Sequence, residues 1–98
     1  MNIRISKEFE KSAKKLSGKY KETLKNVILE IQAANSLNDI GNCRKLLGYN
    51  TVYRVRMGNY RVFFLLEIVE QTAYLKYLVS RGEAYSKEYQ SKLKLDDK

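Results

Sequence analysis

Three arginine residues flank a short glycine turn in the middle of the chain. They are Arg54 and Arg56 before Gly58-Asn59, and Arg61 after it. A guanidinium group binds a phosphate through two parallel hydrogen bonds and stays charged at physiological pH. The arrangement therefore indicates a site for phosphate groups, such as those of RNA.

The turn predicts the register of a β-hairpin. Glycine at the first position of a two-residue loop favours a type II′ turn, which pairs Met57 with Tyr60 and Arg56 with Arg61. Like charges at directly paired positions repel by roughly 0.2–1 kcal/mol. The pair makes physical sense if an anion bridges it, so we interpret the hairpin as a binding surface.

Side chains alternate along a strand, so all three arginines are expected on one face of the sheet. Phe63 and Leu65 fall on the same face. A mixture of arginine and aromatic groups resembles a base-stacking platform beside a phosphate track. The alternative is a set of solvated arginines on an open sheet face.

A second basic segment ends the last predicted strand, where Arg81 precedes Gly82-Glu83-Ala84-Tyr85. A three-residue turn before that strand would put Arg81 opposite Arg61, and a two-residue turn would point it the other way unless a bulge intervenes. Both possibilities stay open. If Arg81 lies on the arginine face, Tyr85 or Tyr89 would lie over that face. The alternative for each tyrosine is that it only packs against other residues, with its hydroxyl hydrogen-bonded.

The elements that must position these residues are predicted from hydrophobic periodicity. Ser6 suits an N-cap, and Ser17-Gly18 suits the end of the first helix. The C-terminal tail has weak helical character around Tyr85 to Leu93, and its end, Lys94 to Lys98, is expected to fray. The predicted elements are a strand over 2–6, a helix from 7 to about 17, a helix over 20–34, and strands over 51–57, 60–69 and 73–80.

This order predicts an α+β fold in a single domain over residues 1–98. An N-terminal strand and an antiparallel two-helix hairpin should pack on one face of an antiparallel sheet, formed mainly by three consecutive C-terminal strands. The stripe expected on the second helix consists of Tyr20, Leu24, Val27, Ile28 and Ile31. The sheet residues expected to face the helices are Tyr53, Val55, Met57, Tyr60, Val62, Phe64, Leu66 and Ile68.

Composition narrows the function classes. The chain has 98 residues and a net charge of +8, which favours polyanions or an acidic protein partner. It has no His and one Cys, Cys43, which argues against a disulfide, a Cys–His nucleophile or a metal site. The first residues carry no hydrophobic signal segment and no apolar run is long enough for a membrane span, so we expect a cytoplasmic location.

Three segments together resemble the RelE/ParE superfamily of toxins from bacterial toxin–antitoxin modules. They are Arg44-Lys45-Leu46-Leu47-Gly48-Tyr49, the hairpin from Val52 to Val62, and Leu78 to Tyr85. The most specific part is the R-x-R, short glycine turn, Y-R-V hairpin, and the later R-x-x-x-Y is second. The resemblance covers nearly the whole chain, including the order of strands and helices.

The resemblance implies one of two activities. RelE-like members are ribosome-dependent endoribonucleases that cut mRNA without a metal or cofactor, whereas ParE-like members inhibit DNA gyrase. A relative that has lost its activity is a third possibility. The toxins of both branches are neutralised by a small antitoxin, which we expect to be acidic where it covers the basic surface.

In the nuclease branch, the resemblance implies that Arg61, Arg81 and Tyr85 are catalytic. Arg61 and Arg81 would hold the scissile phosphate, and both are expected to lie outside the core. The residues implied to bind RNA are Arg54, Arg56, Arg44 and Lys45. Some members have Lys where this chain has Arg54 and Arg56, and guanidinium is a poor base, so the proton-transfer candidates are Tyr85, Tyr89 and Glu83.

Overall fold

The computed structural model covers residues 1–98 and places a five-stranded mixed sheet at the centre of the molecule. The elements are β1 (Asn2–Ile5), α1 (Lys7–Lys14), α2 (Gly18–Ala33), a 3₁₀ turn (Leu37–Asp39), β2 (Cys43–Lys45), β3 (Val52–Met57), β4 (Tyr60–Glu67), β5 (Thr72–Ser80) and α3 (Lys87–Asp96). The strand order is β1-β5-β4-β3-β2, with β1 parallel to β5 and all other neighbours antiparallel. The predicted α+β fold class is confirmed.

The helical hairpin begins where the sequence predicts. The Ser6 Oγ accepts a hydrogen bond from the Phe9 N–H at 3.0 Å, which caps α1. The boundary between the helices was predicted less well. Extended backbone at Ser17 makes this residue the N-cap of α2, so Gly18 begins the second helix and does not end the first. The predicted stripe of α2 packs into the core between the helices and the sheet.

The β3–β4 hairpin has the predicted register. Gly58 has a φ of +58°, whereas Asn59 does not adopt a positive φ, as a type II′ turn requires. Met57 pairs with Tyr60, and Arg56 with Arg61. The alternation of the two strands therefore sends these arginines to the face opposite α1 and α2.

Both faces of the sheet are buried, each in its own core. The first core lies under α1 and α2 and includes the predicted inward residues of β3 and β4, except Ile68, which is exposed in the β4–β5 connection. The second core lies on the arginine face and contains Phe63 and Leu65, which are 0% and 5% exposed. The predicted open stacking platform is therefore wrong for these two residues, because Leu93 of α3 packs over them in the same core.

The C-terminal segment departs most from prediction. A fraying end was predicted from Lys94, but α3 continues through Asp96. Leu93 is fully buried, and the Asp97 carboxylate accepts hydrogen bonds from the N–H groups of Asn50 and Thr51, each at 2.7 Å. These contacts join the end of α3 to the start of β3. No helix is both long and apolar enough to cross a bilayer.

Candidate functional site

Five arginines come together around the β3–β4 hairpin, and we call them the arginine cluster. They are Arg44, Arg54, Arg56, Arg61 and Arg81. Arg44 on β2 pairs directly with Arg54 on β3, and Arg56 pairs directly with Arg61. The short edge strand β2, which was not predicted, therefore extends the basic surface by one residue pair.

Arg61 is the most constrained member of the cluster. It is only 6% exposed, and its Nη1 donates to the carbonyl oxygens of Gly58 and Tyr60 at 2.8 and 2.9 Å. The expectation that Arg61 lies outside the core is therefore wrong. These bonds fix the guanidinium against the turn, so the positive φ that Gly58 adopts in the turn also helps to orient the Arg61 side chain.

Electrostatic effects at Arg61 show which groups surround it. Burial lowers the pKa of the Arg61 guanidinium, and the neighbouring charge of Arg56 lowers it further. Arg54 and Arg81 act in the same direction, while Tyr85 raises the pKa. Arg61 thus lies at the centre of the cluster, with one tyrosine among its neighbours.

No acidic side chain neutralises the positive charge of the arginine cluster. None of its five arginines forms an ion pair, whereas Arg4, the sixth arginine of the chain, is paired with Glu67 at 3.0 Å. The Nε atoms of Arg54 and Arg61 are buried, and no acceptor in the chain bonds to them. Buried donors usually have a partner, so this surface has the properties of an anion-binding site.

Arg81 reaches the cluster by a route that neither predicted turn length describes. The β4–β5 connection has four residues, a bulge interrupts the register between Phe63 and Phe64, and Arg61 pairs with Val79. The Arg81 N–H then donates to the Asn59 carbonyl at 2.7 Å. Arg81 therefore lies beside the hairpin turn, one pair beyond the end of β5.

Tyr85 follows in the loop that connects β5 to α3. Its ring meets Phe63 edge to face, with 6.3 Å between centroids, and its side chain is 54% exposed. The fully buried Ala84 anchors the loop in the second core. Tyr85 is therefore held at the rim of that core, with its phenol available to a ligand.

The other two proton-transfer candidates lie elsewhere. Tyr89 packs edge to face against Tyr77 at 5.7 Å, and burial raises the pKa of its phenol. Glu83 is exposed, and neither it nor Tyr89 is among the groups that act on Arg61. Of the three candidates, the structure brings only Tyr85 to the cluster.

Lys45 borders the arginine cluster and lines a cavity together with Arg44 and Arg54. It pairs with Tyr53, and strand alternation places it on the opposite face of the sheet from Arg44. Its exposed position on the edge strand leaves it close to the cluster without being part of it. No group of three His, Cys, Asp or Glu side chains in the chain could hold a metal ion.

Comparison with known proteins adds the family. No family model matches the chain. The toxin RelE3 from Methanocaldococcus jannaschii is 34% identical over 86 residues, which cover 87% of this chain and 96% of that protein. The chain belongs to the RelE toxin family of toxin–antitoxin modules.

Solved structures of RelE toxins share the fold. The toxin–antitoxin complex of RelB and RelE from Methanococcus jannaschii aligns with a TM-score of 0.72 and 30% identity, covering 86% of this chain and 96% of that one. A mutant of the Escherichia coli toxin RelE in the free state also gives 0.72, at 18% identity, covering 97% and 95%. At 18% identity, the match to the Escherichia coli toxin shows only that the two chains share a fold.

Some residues around the site of this RelE-family chain follow no hydrophobic period that would predict their position, although Leu46, Leu47 and Tyr49 lie in a segment that carries the family resemblance. Leu46, Leu47, Tyr49 and Gln90 line a cavity next to Arg44 and Arg54. Their side chains follow no helical or strand period, and the cavity forms only because α3 folds against the β2–β3 connection. A prediction of α3 and its packing would have been needed to find them.

Proposed function

We propose that this RelE-family chain is an endoribonuclease that cleaves mRNA on the ribosome and so inhibits translation. The observation that carries the proposal is the arginine cluster, five cations without an acidic partner, with Tyr85 at its rim. A surface that is repulsive within the free protein becomes favourable when phosphate groups bind it. RNA supplies such groups at regular spacing.

The reaction proposed is attack by the RNA's own 2′-hydroxyl on the adjacent phosphorus. The hydroxyl loses its proton, the new P–O bond forms, and the bond to the 5′-oxygen breaks as that oxygen gains a proton. The products are a 2′,3′-cyclic phosphate and a free 5′-hydroxyl. Negative charge accumulates on the phosphorane oxygens, and fixed donors aimed at that charge lower the barrier.

Arg61 and Arg81 are assigned to the scissile phosphate. Arg61 is suited to this role because its Nη1 is already fixed by two backbone carbonyls, which leaves less reorganisation during the reaction. Arg81 approaches from the neighbouring strand end, and its backbone is fixed at Asn59. The two guanidinium groups would therefore contact the phosphate from different elements of the fold.

Proton transfer is assigned to Tyr85, since it is the one candidate that lines a cavity with Arg44 and Arg54 and acts on the charge of Arg61. Neighbouring guanidinium groups stabilise a phenolate, which makes a tyrosine a workable base. Arg54, Arg56 and Arg44 are assigned to the flanking phosphates. Lys45, which alternation places on the other face of the edge strand but which lines a cavity with Arg44 and Arg54, would add positive charge at the border of the cluster.

An acidic antitoxin is the proposed protein partner. RelE relatives were crystallised as complexes with RelB from Methanococcus jannaschii, Pyrococcus horikoshii and Escherichia coli. This chain carries a net charge of +8 and an uncompensated arginine cluster. A partner that brings carboxylates to the cluster would relieve its repulsion and block RNA at the same surface.

The test is induced expression without antitoxin, followed by primer extension on translated mRNA. Growth arrest with new 5′ ends inside open reading frames is expected. Arg61→Ala and Arg81→Ala should each abolish these ends, whereas Arg4→Ala, which removes an arginine outside the cluster, should keep them. Intact mRNA together with DNA-damage signalling would instead favour inhibition of gyrase. A reconstituted translation system, compared with the same mRNA without ribosomes, tests whether the ribosome is required.

A further inference from the structure

The two arginines assigned to the scissile phosphate are both anchored to one turn. The carbonyl oxygens of Gly58 and Tyr60 accept hydrogen bonds from the Arg61 Nη1 at 2.8 and 2.9 Å. The carbonyl between them, that of Asn59, accepts a hydrogen bond from the Arg81 N–H at 2.7 Å. Three consecutive carbonyl groups therefore hold the side chain of one arginine and the backbone of the other.

The bonds to the turn determine which edge of the Arg61 guanidinium can face a ligand. A guanidinium group has five N–H donors in a planar fork, and two parallel N–H groups bind one phosphate. Both carbonyl bonds use Nη1, so Nε and Nη2 stay available as a parallel pair. The Nε is buried, and no acceptor in the chain bonds to it. The direction of the Gly58 carbonyl therefore helps to set where this pair points.

The residue types of the turn allow two backbone conformations. Gly58 has a φ of +58° and Asn59 has no positive φ, which gives a type II′ turn. A type I′ turn requires a positive φ at both positions, and asparagine adopts a positive φ more readily than most residues. The two types differ by a rotation of the peptide group between Gly58 and Asn59. That rotation would turn the Gly58 carbonyl away from Arg61 and toward the helix side of the sheet.

Tyr20, in the first turn of α2, occupies the helix side of this hairpin turn. A Cβ atom added at Gly58 would lie 3.3 Å from both the Cε1 and the Oη of Tyr20, so the ring lies directly against the glycine. The same ring meets Tyr60 edge to face, with 4.8 Å between centroids. Tyr20 thus contacts the two residues whose carbonyls hold Arg61.

We propose that Tyr20 is a positioning residue, which holds the turn in its type II′ form and so fixes the Arg61 guanidinium for the phosphate. The inference rests on the proposed function, since it assumes that Arg61 contacts the scissile phosphate. The ring fills the space on the helix side of Gly58, so rotation of the peptide would push the carbonyl against it. Its contact with Tyr60 holds the second carbonyl in place.

The alternative is that Tyr20 only adds apolar packing to the first core, as other residues of α2 do. Ile28 provides the matched control. It is half-buried against the same core and belongs to the same stripe of α2, but it lies about 12 Å further along the helix axis. Loss of either side chain should lower stability, whereas only the loss of Tyr20 should change the turn.

The first measurement needs no substrate. NMR of the full-length, isotope-labelled protein compares Tyr20→Ala, Tyr20→Phe and Ile28→Ala with the unaltered chain. The amide protons of Gly58 and Asn59 lie close together in a type I′ turn and far apart in a type II′ turn, so the NOE between them reports the turn type. Tyr20→Ala should strengthen this NOE and shift the side-chain N–H signals of Arg61. Tyr20→Phe, which keeps the ring, and Ile28→Ala should match the unaltered protein in both.

The second measurement is cleavage of ribosome-bound mRNA by the same variants. Tyr20→Ala should lower kcat by about 10–100-fold, since misplacing a group by about 1 Å has effects of this size. KM should change little, because the other arginines of the cluster still bind RNA. Tyr20→Phe should restore most of the lost kcat. Ile28→Ala should keep kcat under conditions in which it is folded, which a role in core packing alone would also predict for Tyr20→Ala.

The outcomes separate this inference from the proposed function. If Tyr20→Ala leaves the NOE and the Arg61 signals unchanged, or if Ile28→Ala alters them equally, Tyr20 does not position Arg61. An unchanged kcat for Tyr20→Ala, in a protein that cleaves mRNA, overturns the inference as well. If the unaltered protein leaves mRNA intact, the proposed function fails, and the NMR comparison still decides whether Tyr20 fixes the turn and Arg61.

Discussion

Arg56 and Arg61 occupy directly paired positions on neighbouring antiparallel strands, and no acidic side chain is bonded to either. Arg44 and Arg54 repeat the same arrangement one strand further out. Two like-charged cross-strand pairs on one face cost stability. A fold shaped by stability alone would place a carboxylate in at least one of these positions, so the surface indicates a trade between stability and anion binding.

This trade can be measured at Arg56, whose side chain is exposed and makes no hydrogen bond or ion pair. Arg56→Gln removes the repulsion with Arg61 and should raise the free energy of unfolding by roughly 0.2–1 kcal/mol. The same change should lower the affinity for RNA, since one phosphate contact is lost. Urea unfolding and RNA-binding titrations check the two effects.

Arg4→Gln is the control for Arg56→Gln. It removes the exposed ion pair with Glu67, so stability should stay the same or fall by up to about 1 kcal/mol. RNA affinity should change much less than for Arg56→Gln. If Arg56→Gln destabilises the protein, the arginine pair is not repulsive in the folded state and this interpretation of the cluster is wrong.

Alanine substitutions at Arg61 and Arg81 should separate effects on cleavage from effects on stability. Arg61→Ala removes a buried donor to two carbonyls and should cost on the order of 1–3 kcal/mol of stability as well as activity. Arg81 is exposed, so Arg81→Ala should abolish mRNA cleavage with a change in stability within about 0.5 kcal/mol. Urea unfolding beside primer extension tests both. Full cleavage by a folded Arg81→Ala variant would exclude Arg81 from the reaction.

The hairpin register could be predicted because it depends on local features. Two turn residues and a period of two set the pairing of Arg56 with Arg61 without help from the rest of the fold. Arg81 could not be placed in this way. Its position depends on a bulge between Phe63 and Phe64 and on a four-residue connection, and neither leaves a signal in the residue types.

The third helix shows a different limit of prediction. Leu93 is its one fully buried residue, and other contacts come from tyrosines outside the helix, such as Tyr77 on β5, whose hydroxyl donates to Asp96 at 2.6 Å. A segment with so few buried apolar residues has weak helical periodicity, so the sequence predicts only weak helix with a frayed end. This helix also shapes the candidate site, because α3 helps to bury Phe63 and forms part of the cavity beside Arg54.

Tyr85 offers a test that separates proton transfer from stacking. Tyr85→Phe keeps the edge-to-face contact with Phe63 and should leave RNA affinity nearly unchanged, while the single-turnover rate of cleavage falls by about 10²–10⁴-fold. Tyr85→Ala should lower both quantities. Tyr89→Phe, in the second core and away from the cluster, is the control and should cleave normally. A fully active Tyr85→Phe variant would show that the hydroxyl moves no proton.

The end of α3 should make stability depend on pH through Asp97. Burial raises the pKa of this carboxyl, but hydrogen bonds from Asn50 and Thr51 outweigh it, so the net pKa is lowered. A group whose pKa is lower in the folded state stabilises the protein above its unfolded pKa, and that contribution is lost as the pH falls through the folded value. Asp97→Ala should therefore be less stable by about 1 kcal/mol at pH 7, a modest figure because the site is partly exposed.

The difference in unfolding free energy between the unaltered protein and Asp97→Ala should narrow steadily as the pH is lowered below about 4, near the ordinary carboxyl pKa. Urea unfolding from pH 7 to pH 2.5 measures it. Glu22→Ala, at an exposed carboxylate without an ion pair, is the control and should show almost no difference at any pH. If the difference in unfolding free energy between the unaltered protein and Asp97→Ala stays constant across this range, the charge of Asp97 does not stabilise the fold. The substitution would then act only through lost packing at the end of α3.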